Sequence, residues 1–308
     1  MDERLQHRLD TERRDAPSME SIADLHYLNI PGGRLRAFHA RPATVEAARP
    51  IVMVPGLGVV PSGWHDWWTV LHDRAEIFYI ETREKPGSEL KEEEGADLSM
   101  SALIADIELG LEHFDLVGRD FVLMGTSWGA TALMAGLAER RLDTRKTNSV
   151  VAWNPLDHIW FSRWALRHVT PRIPFSVIDR LRGVISGVAL AGMAPAQRER
   201  LMGFVNAADW RWKGVAETQV DFELSEVAAT ITQEILIFVG VNERIHSSEA
   251  SELLTASIPR GRLFQPVVSE EDNTRLAGLV NLELARITCD APLPQLLASW
   301  ERAIRHTH

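Results

Sequence analysis

Short apolar runs alternate with helix-like segments along most of the chain, and this alternation restricts the folds available to it. The run Ile51–Val54 has no polar face and ends at Pro55 and Gly56, as expected for a strand buried on both sides. Strands of this kind are covered by helices on both faces of their sheet. The pattern predicts an α/β fold with a mostly parallel central sheet flanked by helices.

The other elements follow from the same pattern. Strands are predicted at residues 26–30, 35–39, 51–54, 76–80, 121–124, 150–153, 234–239 and 262–268. Helices are predicted at residues 62–71, 99–114, 128–139, 247–255 and 293–305, the second of which opens on a capping serine, Ser99.

Residues 154–223 interrupt the alternation, because they contain no strand-like run. They carry several helix-like segments and four tryptophans, Trp160, Trp164, Trp210 and Trp212. We therefore expect a helical cap or lid inserted between two strands of the sheet, since mobile lids are built from insertions of this kind. The chain then divides into a polar leader (1–25), an α/β core (26–153 and 224–308) and the insertion (154–223).

Composition excludes several classes of protein. The chain has 308 residues, 45% of them hydrophobic, which is too apolar for a disordered protein. Its net charge of −10 argues against a nucleic-acid partner. The single cysteine, Cys289, rules out an internal disulfide and a cysteine-based zinc site. The charged N-terminus has no apolar core of a signal peptide, and no uncharged run reaches the about 20 residues of a membrane span, so we expect a cytoplasmic protein.

The most informative segment follows the strand at 121–124. It reads Gly125-Thr126-Ser127-Trp128-Gly129, a G-x-S-x-G motif that opens a helix of small residues. A nucleophile on a sharp strand-to-helix turn is forced into strained backbone, and the flanking glycines relieve the crowding. The free N–H groups of the helix face the same place, where they suit a developing oxyanion. The motif predicts that Ser127 is a nucleophile; the alternative is an ordinary turn with a helix-capping serine.

With this motif the chain resembles the α/β-hydrolase superfamily from about residue 26 to its end. The loop Val54-Pro55-Gly56-Leu57-Gly58 is similar to the family's oxyanion-hole loop, H-G-x-G, with Pro55 in place of the histidine. The resemblance implies that the backbone amides of Leu57 and Trp128 bind the oxyanion, with Gly56 beside the substrate. Residues 81–88 are similar to the family's structural turn D-x-R-G-x-G-x-S, and a charged surface loop is the alternative.

Residues 235–246 resemble the strand of this family that is followed by G-x-x-D-x-I-V, with Glu243 in place of the aspartate. The resemblance implies that Glu243 is the acid that would hold and stabilise a histidine base. Asp157, which follows the preceding strand, is a second candidate for this acid.

The base is the position at which the chain departs from the family. The family's histidine lies after the last strand, but residues 269–275 contain none, and no histidine occurs between His246 and His306. A serine hydroxyl is a poor nucleophile without an adjacent base. Three interpretations stay open: His246 is the base, His158 reaches into the site, or Ser127 is not acylated and the pocket serves another purpose.

The tryptophans predict an aromatic pocket lined by Trp128, Trp153 and Trp160, and packing in the hydrophobic core is the alternative for most of the ten tryptophans. No basic cluster near the motifs would bind a phosphate. We expect a hydrolase of a hydrophobic ester, thioester or amide that uses no cofactor and no metal. The alternatives are an acyltransferase on the same fold and a protein that has lost its base and binds a small apolar ligand.

Overall fold

A computed structural model describes residues 3–91, 96–142, 150–159, 162–181, 209–240, 248–304 and 306. The strands in these residues are β1 (Asp24–Ile30), β2 (Gly33–Ala40), β3 (Ile51–Val54), β4 (Ile77–Ile80), β5 (Glu89–Leu90), β6 (Val122–Thr126), β7 (Val150–Trp153), β8 (Ile235–Phe238), β9 (Gly261–Phe264) and β10 (Glu301–Arg302). They form one sheet in the order β1-β2-β4-β3-β6-β7-β8-β9-β10, with β5 beside β2.

Neighbouring strands from β4 to β9 are parallel, and the outer pairs are antiparallel. The predicted α/β fold with a mostly parallel sheet is confirmed. The carboxyl ends of parallel strands lie at one edge of the sheet, where ligands of α/β proteins bind. The segments that leave β3, β6, β7 and β8 therefore meet at this edge.

Helices cover both faces of the sheet. They are α1 (Glu3–Thr11), α2 (Met19–Ile22), α3 (His65–Leu71), α4 (Met100–His113), α5 (Trp128–Ala138), α6 (Arg163–His168), α7 (Trp210–Thr218), α8 (Ser225–Ala228), α9 (Ser248–Ser257), α10 (Asn273–Arg286) and α11 (Gln295–Ala298). Residues 175–181 are also helical. No helix in the described ranges is long and apolar enough to span a membrane.

Alternate residues of the buried strands face two separate hydrophobic layers. In β3, Val52 and Val54 pack in the layer that contains α4 and α5. Ile51 and Met53 pack in the layer that contains α3 and α10. Because both faces of each strand are buried, the strand sequence is continuously apolar rather than alternating.

The N-terminal residues include a helix packed on the core. Leu5 and Leu9 of α1 are 1% and 0% exposed and belong to the layer with α3 and α10. They are four residues apart and so share one face of the helix. Arg8 pairs with Glu283 of α10 at 2.8 Å. The division of the chain into leader, core and insertion stays a prediction.

The helix predicted at residues 293–305 is wrong. Among the described residues of this range only α11 is helical, and Glu301 and Arg302 form β10, in which Glu301 lies opposite Phe264 of β9. Arg262 of β9 binds the Glu301 carboxylate at 2.7 Å. Without β10, β9 would present an unpaired edge, and long-range pairing with that edge outweighs the local helical pattern.

The predicted strand 262–268 is also too long. β9 ends at Phe264, two residues before Pro266, which has no N–H group to contribute to a sheet. Residues 269–275, which follow the last predicted strand, include the start of α10 at Asn273.

The turn at residues 81–88, which follows β4, is buried, so the charged surface loop is wrong for it. Arg83 is 7% exposed, and its Nη2 donates to Oδ1 of Asp106 in α4 at 2.7 Å. The other buried charges in the turn are matched in the same way, Glu81 by Arg36 and Lys85 by Glu84. Pairing of this kind is what allows charges to be buried.

Candidate active site

Ser127 occupies a sharp turn between β6 and α5. Its backbone has φ 47° and ψ −123°, a conformation that is strained for a residue with a side chain. Hydrogen bonds hold the turn, among them one from the Ser127 N–H to the Trp153 carbonyl at 2.8 Å and one from the Thr131 N–H to the Ser127 carbonyl at 3.1 Å. The Ser127 side chain does not cap α5. The interpretation of Ser127 as an ordinary capping serine is therefore wrong.

Glycines on both sides of Ser127 allow close backbone approach. A Cβ on Gly125 would lie 2.5 Å from the Ala130 Cα, inside the first turn of α5. A Cβ on Gly129 would lie 2.3 Å from the Pro55 carbonyl oxygen and 2.6 Å from that of Val54. These two positions accept no side chain, because β6, α5 and the loop after β3 close on one another there.

The loop after β3 lies directly against Ser127. A Cβ on Gly56 would be 2.9 Å from the Ser127 Cβ. The Gly56 N–H donates to the Thr126 hydroxyl at 2.8 Å, which joins the loop to the residue before the serine. Thr126 is not among the predicted site residues, although a hydroxyl next to the serine in an otherwise apolar strand is a visible signal.

The two amides assigned to the oxyanion hole, those of Leu57 and Trp128, donate no hydrogen bond to any residue that the structure describes. The Trp128 amide is the first of α5, where helical N–H groups have no partner within the helix. The adjacent Gly56 amide is already used by Thr126, which leaves Leu57 as the first free donor of its loop. Free amides beside a strained serine suit an anion.

Asn154 connects the ends of β7 and β8. Its N–H donates to the Phe238 carbonyl at 2.8 Å, and its side-chain Oδ1 accepts from the Gly240 N–H at 3.0 Å. Asn154 adopts φ 48°, a conformation in which asparagine is enriched among non-glycine residues. Asn154 follows Trp153, which holds the Ser127 amide, so one short segment contacts both the serine turn and the chain that leads to Glu243. Asn154 is not among the predicted site residues.

Three of the predicted site residues, Glu243, His246 and Trp160, lie outside the described residues. Their roles as acid, base and substrate contact stay predictions.

The second acid candidate, Asp157, makes structural contacts. Its Oδ1 accepts from the Ser225 N–H at 2.7 Å, and its carbonyl accepts from the Leu224 N–H at 2.8 Å, so Asp157 fixes the start of α8. Its Oδ2 lies 3.3 Å from Nδ1 of His158, whose side chain is about half exposed (48%). No hydrogen bond between described residues joins Asp157 or His158 to Ser127.

Trp153 packs in the core. Its ring stacks on Phe238 with centroids 5.2 Å apart, and Phe238 stacks on Phe264 at 4.7 Å. The stack follows from the register, which places these three residues side by side on β7, β8 and β9. The Trp153 carbonyl accepts the hydrogen bond from the Ser127 N–H. Contact of the Trp153 ring with substrate stays a prediction.

Helix α7 contacts several parts of the candidate site. The Trp212 ring packs on the backbone of Gly58, which has φ 67°, so closely that a Cβ there would be 1.8 Å from the ring. Arg211 Nη1 donates to the carbonyls of Lys85 and Ser88, at 2.6 Å each. No sequence motif indicated these contacts, because they join α7 to segments that lie at least 123 residues earlier in the chain.

The charged turn after β4 packs on Asp106 of α4, a carboxyl whose pKa is shifted by burial. Burial raises the pKa of Asp106 to about 6, although the Arg83 guanidinium acts in the opposite direction. Burial likewise raises the pKa of Glu81 above its ordinary value, against the effect of Arg36. Both pairs lie at the turn that leaves β4, the parallel neighbour of β3.

Comparison with known proteins identifies the fold. No family model matches the chain, and no curated protein matches its sequence. A hydrolase from Pseudomonas aeruginosa PA01 has 17% identity and a TM-score of 0.64, over 85% of this chain and 97% of that one. A thermophilic esterase from Thermogutta terrifontis has 15% identity and a TM-score of 0.61, over 84% and 96%. An enol-lactonase from Burkholderia xenovorans LB400 has 16% identity and a TM-score of 0.59, over 83% and 96%.

Proposed function

We propose that this chain, which has the α/β-hydrolase fold, is a serine hydrolase. It would act through Ser127 on a hydrophobic carboxylic ester, thioester or amide. The observation that carries the proposal is the conformation of Ser127, φ 47° at the end of β6, in contact with a loop that presents a free amide. Strained backbone of this kind persists only where the surrounding structure enforces it, and it clusters at functional sites.

In the proposed reaction the Ser127 Oγ attacks the substrate carbonyl carbon while a base accepts the hydroxyl proton. The carbonyl oxygen becomes an oxyanion that accepts hydrogen bonds from the amides of Leu57 and Trp128. The same proton passes to the leaving group as the acyl–oxygen, acyl–sulfur or acyl–nitrogen bond breaks. Water then hydrolyses the acyl-enzyme by the reverse sequence of proton transfers. His246 is the proposed base and Glu243 the acid that stabilises its charged form.

A fluorophosphonate probe tests the nucleophile, because it reacts with an activated serine and requires no known substrate. We expect the wild-type protein to be labelled and Ser127→Ala to remain unlabelled. The melting temperature of Ser127→Ala should stay close to that of wild type, since the hydroxyl does not cap α5.

Ser99→Ala is the matched control. The Ser99 hydroxyl accepts from the Ala102 N–H at 3.3 Å and caps α4, so this variant should lose about 1 kcal/mol of stability and keep full labelling. If the folded wild type is not labelled, the proposal is rejected in favour of the ligand-binding alternative.

A second experiment tests the base. His246→Ala should lower the hydrolysis of p-nitrophenyl butyrate by a factor of about 10² or more, the usual contribution of a general base. His158→Ala serves as the control, because His158 pairs with Asp157 on an exposed part of the chain. Loss of activity in His158→Ala alone would transfer the role of base to His158, and full activity in both variants would contradict both assignments.

A further inference from the structure

Helix α7 and the residue that ends it contact both segments that carry the proposed oxyanion donors. Trp212 packs on Gly58, which lies next to Leu57. Gln219, the residue that caps the C-terminus of α7, binds the side chain of Trp128. Trp212 and Gln219 are seven residues apart, which places them two turns apart on one face of the helix.

Gln219 joins three segments of the chain through its side-chain amide. Its Oε1 accepts from the Trp128 indole Nε1–H at 2.9 Å. Its Nε2 donates to the Leu98 carbonyl at 2.6 Å, just before α4. An indole N–H can only donate and a carbonyl can only accept, so these two partners fix the orientation of the amide. Gln219 is 2% exposed and Trp128 is 1% exposed, so water does not compete for these bonds.

We propose that Gln219 is a positioning residue for the oxyanion hole: it holds the Trp128 side chain, and through it the Trp128 backbone amide, in the place that the reaction requires. This inference rests on the proposed function. The amide and the indole belong to the same residue at the first position of α5, so a shift of the buried ring shifts the amide with it.

The position of this amide matters because oxyanion donors act only at short range. A donor must lie about 2.7–3.1 Å from the oxyanion, and a displacement of about 1 Å can lower a rate by about 10². The Phe222 ring lies edge-on to the Trp128 ring with centroids 6.1 Å apart, which limits one direction of movement. Among the described residues, Gln219 is the polar partner of the indole.

The variant Gln219→Met tests the inference, because methionine has a similar length, its thioether is only a weak acceptor for the indole N–H, and it has no donor for the Leu98 carbonyl. We expect the second-order rate of fluorophosphonate labelling at Ser127 to fall about 10- to 100-fold. The kcat for p-nitrophenyl butyrate should fall by a similar factor, with KM changed by less than about threefold. A group that acts on the transition state affects kcat in this way.

Trp68→Phe is the matched control. Trp68 is also buried, and its indole N–H donates to the Pro17 carbonyl at 2.8 Å, away from the serine turn. This variant loses the same kind of hydrogen bond and should lower the melting temperature while the labelling rate stays at the wild-type value. A purely structural role for Gln219 would make the two variants behave alike.

In the variant Gln219→Glu, the labelling rate should be restored in a pH-dependent way. The protonated acid can still accept from Trp128 and donate to Leu98, whereas the carboxylate cannot donate. The labelling rate of this variant, divided by that of wild type at the same pH, should therefore be highest at low pH and fall as the pH rises.

The outcomes separate this inference from the proposed function. If wild type is labelled at Ser127 and Gln219→Met is labelled at the same rate, the inference is overturned while the proposed function survives. A Gln219→Glu ratio that does not change with pH also overturns it. If folded wild type is not labelled at all, the proposed function fails and the positioning role fails with it.

Discussion

Gly129→Ala is expected to destabilise the protein by about 1–3 kcal/mol or more, and Gly129→Val by more than that. A single Cβ at this position would lie 2.3 Å from the Pro55 carbonyl oxygen and 2.6 Å from that of Val54. Both are backbone atoms, so relief requires α5 to move away from the loop after β3. Urea unfolding of the variants measures the loss. Gly125→Val should behave similarly, because its Cβ would meet the Ala130 backbone.

The same displacement should slow fluorophosphonate labelling, because the loop that moves carries the proposed donor Leu57. Gly63→Ala is the control, since a Cβ on Gly63 meets no atom within 4 Å. This variant should unfold and react like wild type. If Gly129→Ala and Gly125→Val both unfold like wild type, the sharp turn at Ser127 is incorrectly assigned.

Arg83→Met is expected to destabilise the protein by about 3–5 kcal/mol at pH 8, because it leaves the Asp106 carboxylate buried without its partner. Arg83 binds this carboxylate through its backbone N–H at 2.8 Å and through its side chain at 2.7 Å. Its Nη1 also donates to the Asp97 carbonyl at 2.9 Å. The expected loss of stability has two causes. The Asp106 carboxylate loses its paired guanidinium, and the turn loses its side-chain attachment to α4.

The destabilisation should depend on pH in a predictable direction. In wild type the pKa of Asp106 is raised from 3.8 to about 6, so the stability that its protonated form contributes is complete below pH 3.8 and is lost as the pH rises through 6. In Arg83→Met the guanidinium no longer counteracts burial, and the pKa rises further. The difference between variant and wild type should therefore grow above pH 6 by up to about 1.4 kcal/mol per pH unit.

Urea unfolding at pH 5.5, 7 and 8 measures this dependence. Arg34→Met is the control, because Arg34 and Glu89 form an ion pair on the surface, with side chains 45% and 53% exposed. Exposed pairs contribute little, so this variant should match wild type at each pH. An Arg83→Met destabilisation that is equal at pH 5.5 and pH 8 would contradict the role given to Asp106.

Local sequence patterns were sufficient to predict most of the strands and helices and the turn at Ser127. The apolar run at residues 51–54 matches β3 without change, and Ser99 caps α4 as expected. The turn at Ser127 was also predictable, since the steric demands of a strand that runs into a helix leave few choices other than glycine at positions 125 and 129. Each of these features depends on residues that are close together in the chain.

Partners that are distant in sequence were not predictable. The hydroxyl of Thr126 meets the Gly56 amide, and the amide of Gln219 meets the Trp128 indole from 91 residues away. The segment at residues 301–302 pairs as a strand with β9, although its own pattern favours a helix. In each case the local sequence permits several conformations, and the choice follows from a partner that only the folded chain brings near.

The amino-acid sequence by itself determined the strand-and-helix order, the parallel sheet and the position of the serine turn, because hydrophobic periodicity and glycine sterics act over a few residues. Only the tertiary structure decided which polar groups hold that turn in place. It buries the charges of residues 81–85, leaves the amides of Leu57 and Trp128 without a partner among the described residues, and packs Trp212 of α7 on Gly58. Buried polar groups need hydrogen-bond partners, and in this fold those partners come from segments that are distant in sequence. The local sequence pattern therefore does not indicate which residues they are.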